Sequence, residues 1–435
     1  MQRHTFNKLI MIIAAPAILS LGACKKDYTD PSRATQEFAF NSVAGLTAVD
    51  VGLQRVYSLS QAGPLYNFVS IDALTTRQVI VLNQGNTNEY KLNLGGAQVD
   101  ANNTLLAGLW TICNKVNYDA DNVITAAAAL EDKSVASGIA GYATIFKALS
   151  LGAMSEFWES IPDGNGTDVN FISRADGLNR AITAIDNALG MIAANPISPS
   201  FTSSVPAGID VPNTLQALKA RYSLFAGNYA QALTAANAVD LTSKSVLNFE
   251  AANPNPIFTA AGSNFNLYQP VDSTMALPVG LQPDLADKRV PFYMALSGSS
   301  ASRFVMKGFV GASTTAFPIY LPGEITLIKA EAYARQSSPD LDNALTELNK
   351  VVTKQPSADP FGVGAGLPAI AGPLSQSEIL EEIYRNRSIE LFMSGLRLED
   401  MRRFDRPTDE RGRNFMPFPL RERDNNPNTP ADPPF

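Results

Sequence analysis

Apolar residues recur every three or four positions along much of this chain, which is the pattern of amphipathic α-helices. The pattern is found in four stretches of the first half: 46–56, 105–130, 139–158 and 176–192. We predict a helix in each stretch. Asp176 stands at the start of the last one and is expected to cap it.

Two further stretches resemble each other and each predicts a pair of helices. In 214–240 the residues Leu218 and Tyr222 face inward, and Gly227 provides the turn to a second helix rich in alanine. The stretch 324–352 repeats this pattern, with Tyr333 in the place of Tyr222. The two tyrosines are 111 residues apart, far more than the roughly 34 of a tandem tetratricopeptide array. We therefore predict tetratricopeptide-like helix pairs that insertions separate.

The predicted insertions differ from the helices in composition. Residues 61–103 begin with aromatic side chains and become rich in Asn and Gly, while residues 249–322 are rich in Pro, Gly and Ser. Such compositions are typical of loops, and proline prevents long helices. We predict one domain whose helical scaffold, over about 42–248 and 320–405, carries the two loop-rich insertions.

The stretch 374–404 near the C-terminus combines an apolar side with an unusual density of charge. Ser375, followed three residues later by Glu378, is a capping-box pattern that predicts the start of a helix. Gly395 is a suitable end, after which a second short helix begins. Composition favours a solvated charged face. The alternative is a partly buried arginine–carboxylate network with structural roles for Arg387, Glu390, Arg397 and Asp400.

The same stretch resembles the C-terminal signature of the SusD/RagB-like family of nutrient-binding outer-membrane lipoproteins. The pattern R-x-R-x-I-E-L-x-x-x-G-x-R-x-x-D-x-R-R runs from Arg385 to Arg403, with Asn386 and Ser394 at positions where the family usually has an acid. The close of the chain, with its Asn-Pro-Asn at 426–428, is similar to the end of such proteins. The resemblance implies a mainly α SusD-like fold, in which tetratricopeptide-like helix pairs form a scaffold beside an irregular, loop-rich half.

Residues 1–23 have the features of a signal peptide that is removed. Arg3 and Lys8 precede an apolar run over 9–21 that is too short for a comfortable membrane span. The residues Leu-Gly-Ala before Cys24 fit a lipobox, in which the cysteine is lipidated and becomes the first residue of the mature chain, 24–435. A plain secretory signal is the alternative. Acyl chains would anchor the protein firmly, since each buried CH₂ contributes about 0.8 kcal/mol.

Composition argues against most catalytic chemistry. Removal of the signal peptide takes away His4, the only histidine, and Cys113 then has no cysteine to pair with if Cys24 carries lipid. Zinc sites built on His and Cys, Ser-His-Asp triads and Cys-His dyads are excluded. We predict no catalytic residue, metal or cofactor. A hydrolase built on Glu156, Glu159 and Asp163 is a weaker option.

The charge balance bears on partners, because 41 acidic residues exceed 34 basic ones. Nucleic-acid binding depends on neutralising phosphates, so we expect none. Sugars and peptides are commonly bound by aromatic, amide and guanidinium side chains on loops that a rigid scaffold holds. Ordinary loop packing is the alternative for each such residue, and Trp158 fits the core at least as well. The insertions supply these candidate ligand-binding residues: Tyr66, Phe68, Arg77, Asn83, Phe265, Tyr268 and Arg303.

The resemblance implies a lipid-anchored protein on the cell surface, at the outer membrane. Its expected function is to capture oligosaccharide or peptide and to deliver this nutrient to a SusC-like TonB-dependent transporter. A tetratricopeptide-type envelope scaffold without a small ligand is the alternative. A neighbouring gene for a plug-and-barrel transporter would favour the first function.

Replacement of the lipobox cysteine tests the anchor. Cys24→Ser removes the atom that carries the lipid, so we expect the protein to move from the membrane pellet to the soluble periplasmic fraction. Cell fractionation followed by immunoblotting measures this shift. A variant that stays in the pellet would show that the anchor lies elsewhere.

Overall fold

The computed structural model describes residues 39–262, 267–298 and 300–435, with the side chains of 300–302 left aside. The predicted signal peptide, Cys24 and Phe265 lie outside the described residues. What the sequence predicts for them stays a prediction.

The described chain is mainly α-helical, as the sequence predicts. Its α-helices are α1 (Val43–Ser58), α2 (Pro64–Thr75), α3 (Thr87–Leu94), α4 (Thr104–Ala128), α5 (Lys133–Phe157), α6 (Arg174–Ala194), α7 (Pro199–Thr202), α8 (Val211–Phe225), α9 (Tyr229–Asn237), α10 (Pro256–Ala261), α11 (Arg289–Tyr293), α12 (Pro322–Arg335), α13 (Leu341–Val352), α14 (Gln376–Glu390), α15 (Arg397–Arg403) and α16 (Leu420–Asn425). Short 3₁₀ helices lie at Gly96–Gln98, Gly308–Val310, Pro356–Ala358 and Thr408–Glu410.

The strands are short and form two-stranded antiparallel pairs, β1 with β5, β2 with β3, β4 with β8 and β6 with β7. They are β1 (Val79–Val81), β2 (Ser160–Pro162), β3 (Phe171–Ser173), β4 (Val246–Leu247), β5 (Tyr268–Pro270), β6 (Met294–Ser297), β7 (Ser300–Met306) and β8 (Phe317–Pro318).

The predicted helix pairs are present as α8 with α9 and α12 with α13. Gly227, in the turn of the first pair, has a φ of 77°, which is the left-handed conformation that glycine adopts without strain. Helix α9 packs against α12, so the two pairs are neighbours in space although insertions separate them in sequence. One detail of the prediction is wrong, because Ser173 rather than Asp176 caps α6, its hydroxyl accepting from the Asp176 amide at 3.1 Å.

The expectation of a loop over 61–103 is also wrong, because this stretch contains α2, β1 and α3. Every residue of α2 is buried. A helix that is buried on all sides has no polar face, so its sequence lacks the periodicity that identifies amphipathic helices. The described part of 249–322 has only short helices and strands.

A continuous apolar core runs through the scaffold and contains Cys113 and Trp158, both fully buried. The Trp158 indole donates to the carbonyl of Pro417 at 3.0 Å, so this tryptophan holds the C-terminal segment rather than facing solvent. Among the described residues, α5 is the one helix long and apolar enough to cross a membrane, and 94% of its most apolar window is buried inside the fold. It is therefore the central helix of the core.

The capping box at the start of α14 is present as predicted. The Ser375 amide donates to the Glu378 carboxylate at 2.8 Å, and the Glu378 amide donates back to the Ser375 hydroxyl. The helix ends at Glu390, before Gly395, and α15 follows. Gly395 has a φ of 89°, and the ring of Phe68 occupies the space that a Cβ would need.

The charged residues of this C-terminal region form a buried network, not a solvated face. Arg387 and Asp400 are both buried, and the Arg387 Nε donates to Asp400 at 2.8 Å. Arg403 donates to the other oxygen of Asp400 at 2.6 Å and pairs with Glu331 of α12. These contacts join α14, α15 and the second helix pair.

Glu390 extends the network to the second insertion. Its carboxylate accepts from Lys354 at 2.9 Å and from Arg289 of α11 at 3.2 Å. Arg289 also pairs with Asp287 at 2.7 Å. A buried charge is tolerated only when it is paired and hydrogen-bonded, so these contacts set the relative position of several distant segments.

Arg397, unlike Arg387, forms no ion pair with a described carboxylate. Its Nη1 donates to the carbonyl of Met275, while Nε and Nη2 have no partner among the described residues. Burial lowers the pKa of Arg397. Glu399 shows the opposite balance: burial alone would raise its pKa, but the guanidinium groups of Arg402 and Arg174 hold it at about 2.

The contact between α12 and the network predicts the effect of a small substitution. At Gly323, an added Cβ would meet the carboxylate of Glu390, which Arg289 and Lys354 hold in place. We expect Gly323→Ala to lower the free energy of unfolding by about 1–3 kcal/mol. The control is Gly52→Ala in α1, where an added Cβ would meet nothing within 4 Å. This substitution should raise the free energy of unfolding by roughly 0.5–1 kcal/mol. Denaturant titration measures both, and equal effects would contradict the prediction.

The pKa of Glu399 predicts a dependence on pH. Because it falls from 4.5 to about 2 on folding, the ionised carboxylate contributes about 3 kcal/mol of stability. This contribution is complete above about pH 5 and is lost as the pH falls through 2. We therefore expect Glu399→Gln to be less stable than wild type at pH 7, with a difference that shrinks in acid. The control is Glu381→Gln, because Glu381 is exposed. Its free energy of unfolding should equal that of wild type at every pH.

Candidate functional site

The two insertions meet at one edge of the scaffold. Strand β1 of the first pairs antiparallel with β5 of the second, with Val79 opposite Pro270 and Val81 opposite Tyr268. Strand β7 packs beside β5. We call this meeting point the insertion junction, defined by residues 77–86, which include β1, together with β5 and β7. It unites two segments that are nearly 200 residues apart in sequence.

Hydrogen bonds fasten the insertion junction to the C-terminal region. The Asp72 carboxylate accepts from the Leu398 amide at 2.6 Å and from the Gln78 side chain at 3.0 Å. The side-chain Oε1 of Gln78 in turn accepts from the Met393 amide at 3.0 Å. Burial raises the pKa of Asp72 to about 6, although the bond from Leu398 and the nearby Arg397 charge act in the opposite direction. The junction is therefore anchored by the segment that carries the family signature.

The described aromatic candidates are core residues, which corrects the expectation that they face a ligand. Tyr66, Phe68 and Tyr268 are 1%, 8% and 0% exposed. The Tyr268 hydroxyl lies 3.0 Å from the Ser70 hydroxyl, and the Tyr66 hydroxyl donates to Glu89 at 3.2 Å. Aromatic side chains bury large apolar areas and their hydroxyls need partners, so the core uses these rings itself.

The polar candidates have the opposite environment. Arg77, Asn83 and Arg303 are all exposed. Arg77 has a φ of 59° and lies two residues before β1. Asn83 caps the following turn by accepting from the Gly85 amide at 2.9 Å, and Arg303 belongs to β7. Neither arginine forms an ion pair with a described residue. The junction thus presents guanidinium and amide groups to solvent.

A cavity of about 50 Å³ lies between the scaffold and the second insertion. Its lining includes the Arg221–Glu324 pair, whose two hydrogen bonds measure 2.6 and 2.7 Å. Ligand pockets usually measure about 300–1,000 Å³. This cavity is too small for a nutrient molecule, and its aromatic lining belongs to the core: Tyr57, Phe68, Tyr293, Phe309, Phe317 and Tyr320.

The three acidic residues considered for a hydrolase lie in different environments. Glu156 is buried, its Oε2 has no partner among the described residues, and burial together with the Glu399 charge raises its pKa well above the usual range. Glu159 is exposed, and Asp163 pairs with Arg180. A glycosidase needs two carboxyl groups that flank one bond. These side chains do not provide that arrangement.

No group of three or more His, Cys, Asp or Glu side chains in the described ranges is placed to hold a metal ion. Burial raises the pKa of the Cys113 thiol to about 12, so this cysteine is present as the thiol. It behaves as a small core residue.

No sequence pattern indicates the role of some residues that hold the site in place. Asp72 and Gln78 act through partners more than 300 residues away, which no local pattern records. Arg221 and Glu324 do carry one signal. They stand at inward positions of the two helix pairs, where a charged residue is unusual and calls for a buried partner.

Comparison with known proteins identifies similar sequences and folds. The model of the SusD family matches residues 307–431, which include α12 to α15 and the buried carboxylates Glu331, Glu390, Glu399 and Asp400. A search of curated protein sequences found no match.

Solved structures match nearly the whole chain. A SusD superfamily protein from Bacteroides thetaiotaomicron has a TM-score of 0.69 at 15% identity, over 90% of this chain and 100% of the other. A SusD superfamily protein from Bacteroides vulgatus gives 0.67 at 14% identity, over 90% and 99%. A protein from Bacteroides fragilis described as a SusD-like carbohydrate-binding protein gives 0.68 at 14% identity, also over 90% and 99%.

At these identities the structural matches establish the fold, and the family match adds the C-terminal signature. The family match includes the motif from Arg385 to Arg403, whose side chains form much of the buried network, and the structural matches are to SusD superfamily proteins. The C-terminal part of the chain therefore matches the SusD family, and the described chain has a SusD-like fold.

Proposed function

We propose that this protein is a nutrient-binding lipoprotein of the cell surface. It captures an oligosaccharide or a peptide and delivers it to a SusC-like TonB-dependent transporter in the outer membrane. The observation that carries the proposal is the SusD-like fold over about nine tenths of the chain, together with the family match at its C-terminus. One similar structure is described as carbohydrate-binding.

The insertion junction is the proposed nutrient site. Its exposed Arg77, Asn83 and Arg303 can donate hydrogen bonds to hydroxyl, carbonyl or carboxylate oxygens. A rigid scaffold supports the junction through β1, β5 and the Asp72–Leu398 bond, so these groups are held in place before a ligand arrives. Because the rings of Tyr66 and Tyr268 are buried, recognition there rests on polar groups.

Binding without turnover fits the chemistry of the side chains. The mature chain expected from the lipobox has no histidine, and the acidic residues near β2 do not form a pair suited to general acid and base catalysis. The lipid on Cys24 would hold the protein at the membrane, next to the transporter that receives the nutrient.

The second candidate function is a tetratricopeptide-type scaffold that organises other envelope proteins and has no small ligand. The stacking of α9 against α12 supports this alternative, since stacked helix pairs often present extended binding surfaces for proteins.

Loss of the junction arginines tests the nutrient site. A glycan and peptide array first identifies a ligand of the purified protein, and calorimetric titration then measures its affinity. We expect the double variant Arg77→Ala, Arg303→Ala to bind at least about tenfold more weakly, because charge-assisted hydrogen bonds contribute roughly 1.5–3 kcal/mol each. Its melting temperature should not change, since both side chains are exposed.

Two controls make this result specific. Arg55→Ala removes an exposed arginine from α1 and should leave affinity unchanged. Tyr268→Ala removes a buried ring and should lower stability. Full affinity in the double variant would move the nutrient site elsewhere. The absence of any array ligand, with co-purification of envelope proteins other than a transporter, would favour the scaffold function.

A further inference from the structure

A second concave surface lies apart from the insertion junction and shares no residue with its proposed site. It is a groove of about 470 Å³ between the first half of α4, the glycine-rich turn at 164–169 and helix α16. This volume is in the range of small-molecule sites. We call it the amide groove, because of the side chains Asn114, Asn165, Asn425 and Asn426 along it.

Most amide nitrogens of the groove are already bonded within the protein. Asn114 donates to the Trp110 carbonyl at 3.0 Å, Asn165 donates to Asp121 at 3.2 Å, and Asn425 donates to the Arg421 carbonyl at 2.6 Å. The side-chain oxygens of these three residues accept no hydrogen bond from any described residue. The groove therefore offers neutral acceptors, which suit a ligand that is rich in hydroxyl donors.

A recess of about 40 Å³ lies at the inner end of the groove and shares Asn114, Pro162, Gly164 and Asn165 with it. Asn117 lines the recess and is only 7% exposed. Its Oδ1 has no hydrogen-bond partner in the described chain, and its Nδ2 meets only the Met154 sulfur, at 4.0 Å.

A buried polar group without a partner typically costs about 1–3 kcal/mol. The Asn117 amide is therefore unusual for a structural residue, and a ligand hydroxyl would satisfy both of its groups. The recess has room for one such group, because a site for a single water needs only about 10–15 Å³ of this kind of volume.

The charges around the recess are already neutralised. Lys147 pairs with Asp121, and Arg180 pairs with Asp163. A charged ligand group would have to compete with one of these pairs, whereas a neutral hydroxyl would not. The recess thus favours an uncharged ligand group over a carboxylate or an ammonium ion.

The turn that covers the groove is held in place from both sides. The Asp163 amide donates to the Asn170 carbonyl at 2.7 Å, and the side chains of Asn426 and Asn428 donate to the carbonyls of Val169 and Asp168 at 3.0 and 2.7 Å. A site that is formed before binding loses less entropy when the ligand enters.

We propose that the amide groove binds a neutral polyhydroxylated ligand of the pyranose class and that one of its hydroxymethyl groups enters the recess. There the hydroxyl donates to Asn117 Oδ1 and accepts from Asn117 Nδ2. The ring hydroxyls meet the amide oxygens of Asn114, Asn165 and Asn425. This site is separate from the insertion junction, so it gives the protein two places to hold a carbohydrate.

A matched set of sugars tests the proposal. The probes are D-glucose, D-galactose and D-mannose, each with its 6-deoxy form, which lacks only the hydroxyl of the hydroxymethyl group. We titrate the purified full chain with each sugar to millimolar concentration and monitor the titration by NMR. Binding of at least one hexose is expected. Its 6-deoxy form should bind roughly five- to tenfold more weakly, the effect of one lost hydrogen bond.

Variants assign this difference to the groove. Asn117→Leu is expected to reduce the affinity for the hexose to that for its 6-deoxy form. Thr111→Trp, at an exposed position in the groove wall, should block both sugars. Thr183→Trp, at an exposed position of α6 outside the groove, should have no effect. The double variant Arg77→Ala, Arg303→Ala should bind the hexose as wild type does, which separates this site from the junction.

Three results would overturn the proposal. The first is that no hexose binds. The second is that a hexose and its 6-deoxy form bind with equal affinity. The third is that Thr111→Trp binds the hexose as tightly as wild type does. The last result remains decisive if Asn117→Leu fails to fold. Equal affinities would mean that the recess holds water only.

Discussion

The pairing of buried carboxylates with arginines is the constraint on which the rest of this structure depends. Glu331, Glu390, Glu399 and Asp400 lie in the interior, and each contacts a cation from another part of the chain. Removing charges from water is costly, and this cost is offset only when geometry and hydrogen bonding are complete. The network thus favours one arrangement of the helices and penalises near alternatives in which a partner is displaced.

This constraint explains how two insertions of different composition are held together at one edge of the scaffold. The segment between α14 and α15 provides the Met393 amide for Gln78, and α15 provides the Leu398 amide for Asp72. Glu390, at the end of α14, holds Arg289 of the second insertion. The C-terminal region therefore contacts both insertions, and the β1–β5 pair joins the two insertions directly. A surface built this way has a rigid backbone and free polar side chains.

Much of this architecture could be predicted from the sequence, and the failures have physical causes. The amphipathic helices, both helix pairs and the capping box at Ser375 follow from local patterns and are present. Helix α2 was missed because it is buried on every side and so shows no polar face. Tyr66 and Tyr268 were assigned to a ligand surface because residue type does not reveal burial, which depends on neighbours such as Ser70 that are distant in sequence. Local sequence does not identify the partners of buried charges either. Arg221 and Glu324 each stand at an inward position that calls for a partner, but neither stretch indicates which residue that partner is.

The burial of Cys113 has a practical consequence for spectroscopy. In the described chain it is the one free cysteine, fully buried, with a thiol pKa of about 12. The thiolate is the nucleophile that attacks thiol reagents, so this buried thiol is inert toward maleimides at neutral pH. A cysteine introduced at an exposed position such as Asn83 or Thr111 would then be the sole reactive thiol in this part of the molecule. In a chain whose Cys24 carries lipid, one fluorophore or spin label can thus be placed at either surface without first removing Cys113, and its signal reports on that surface alone.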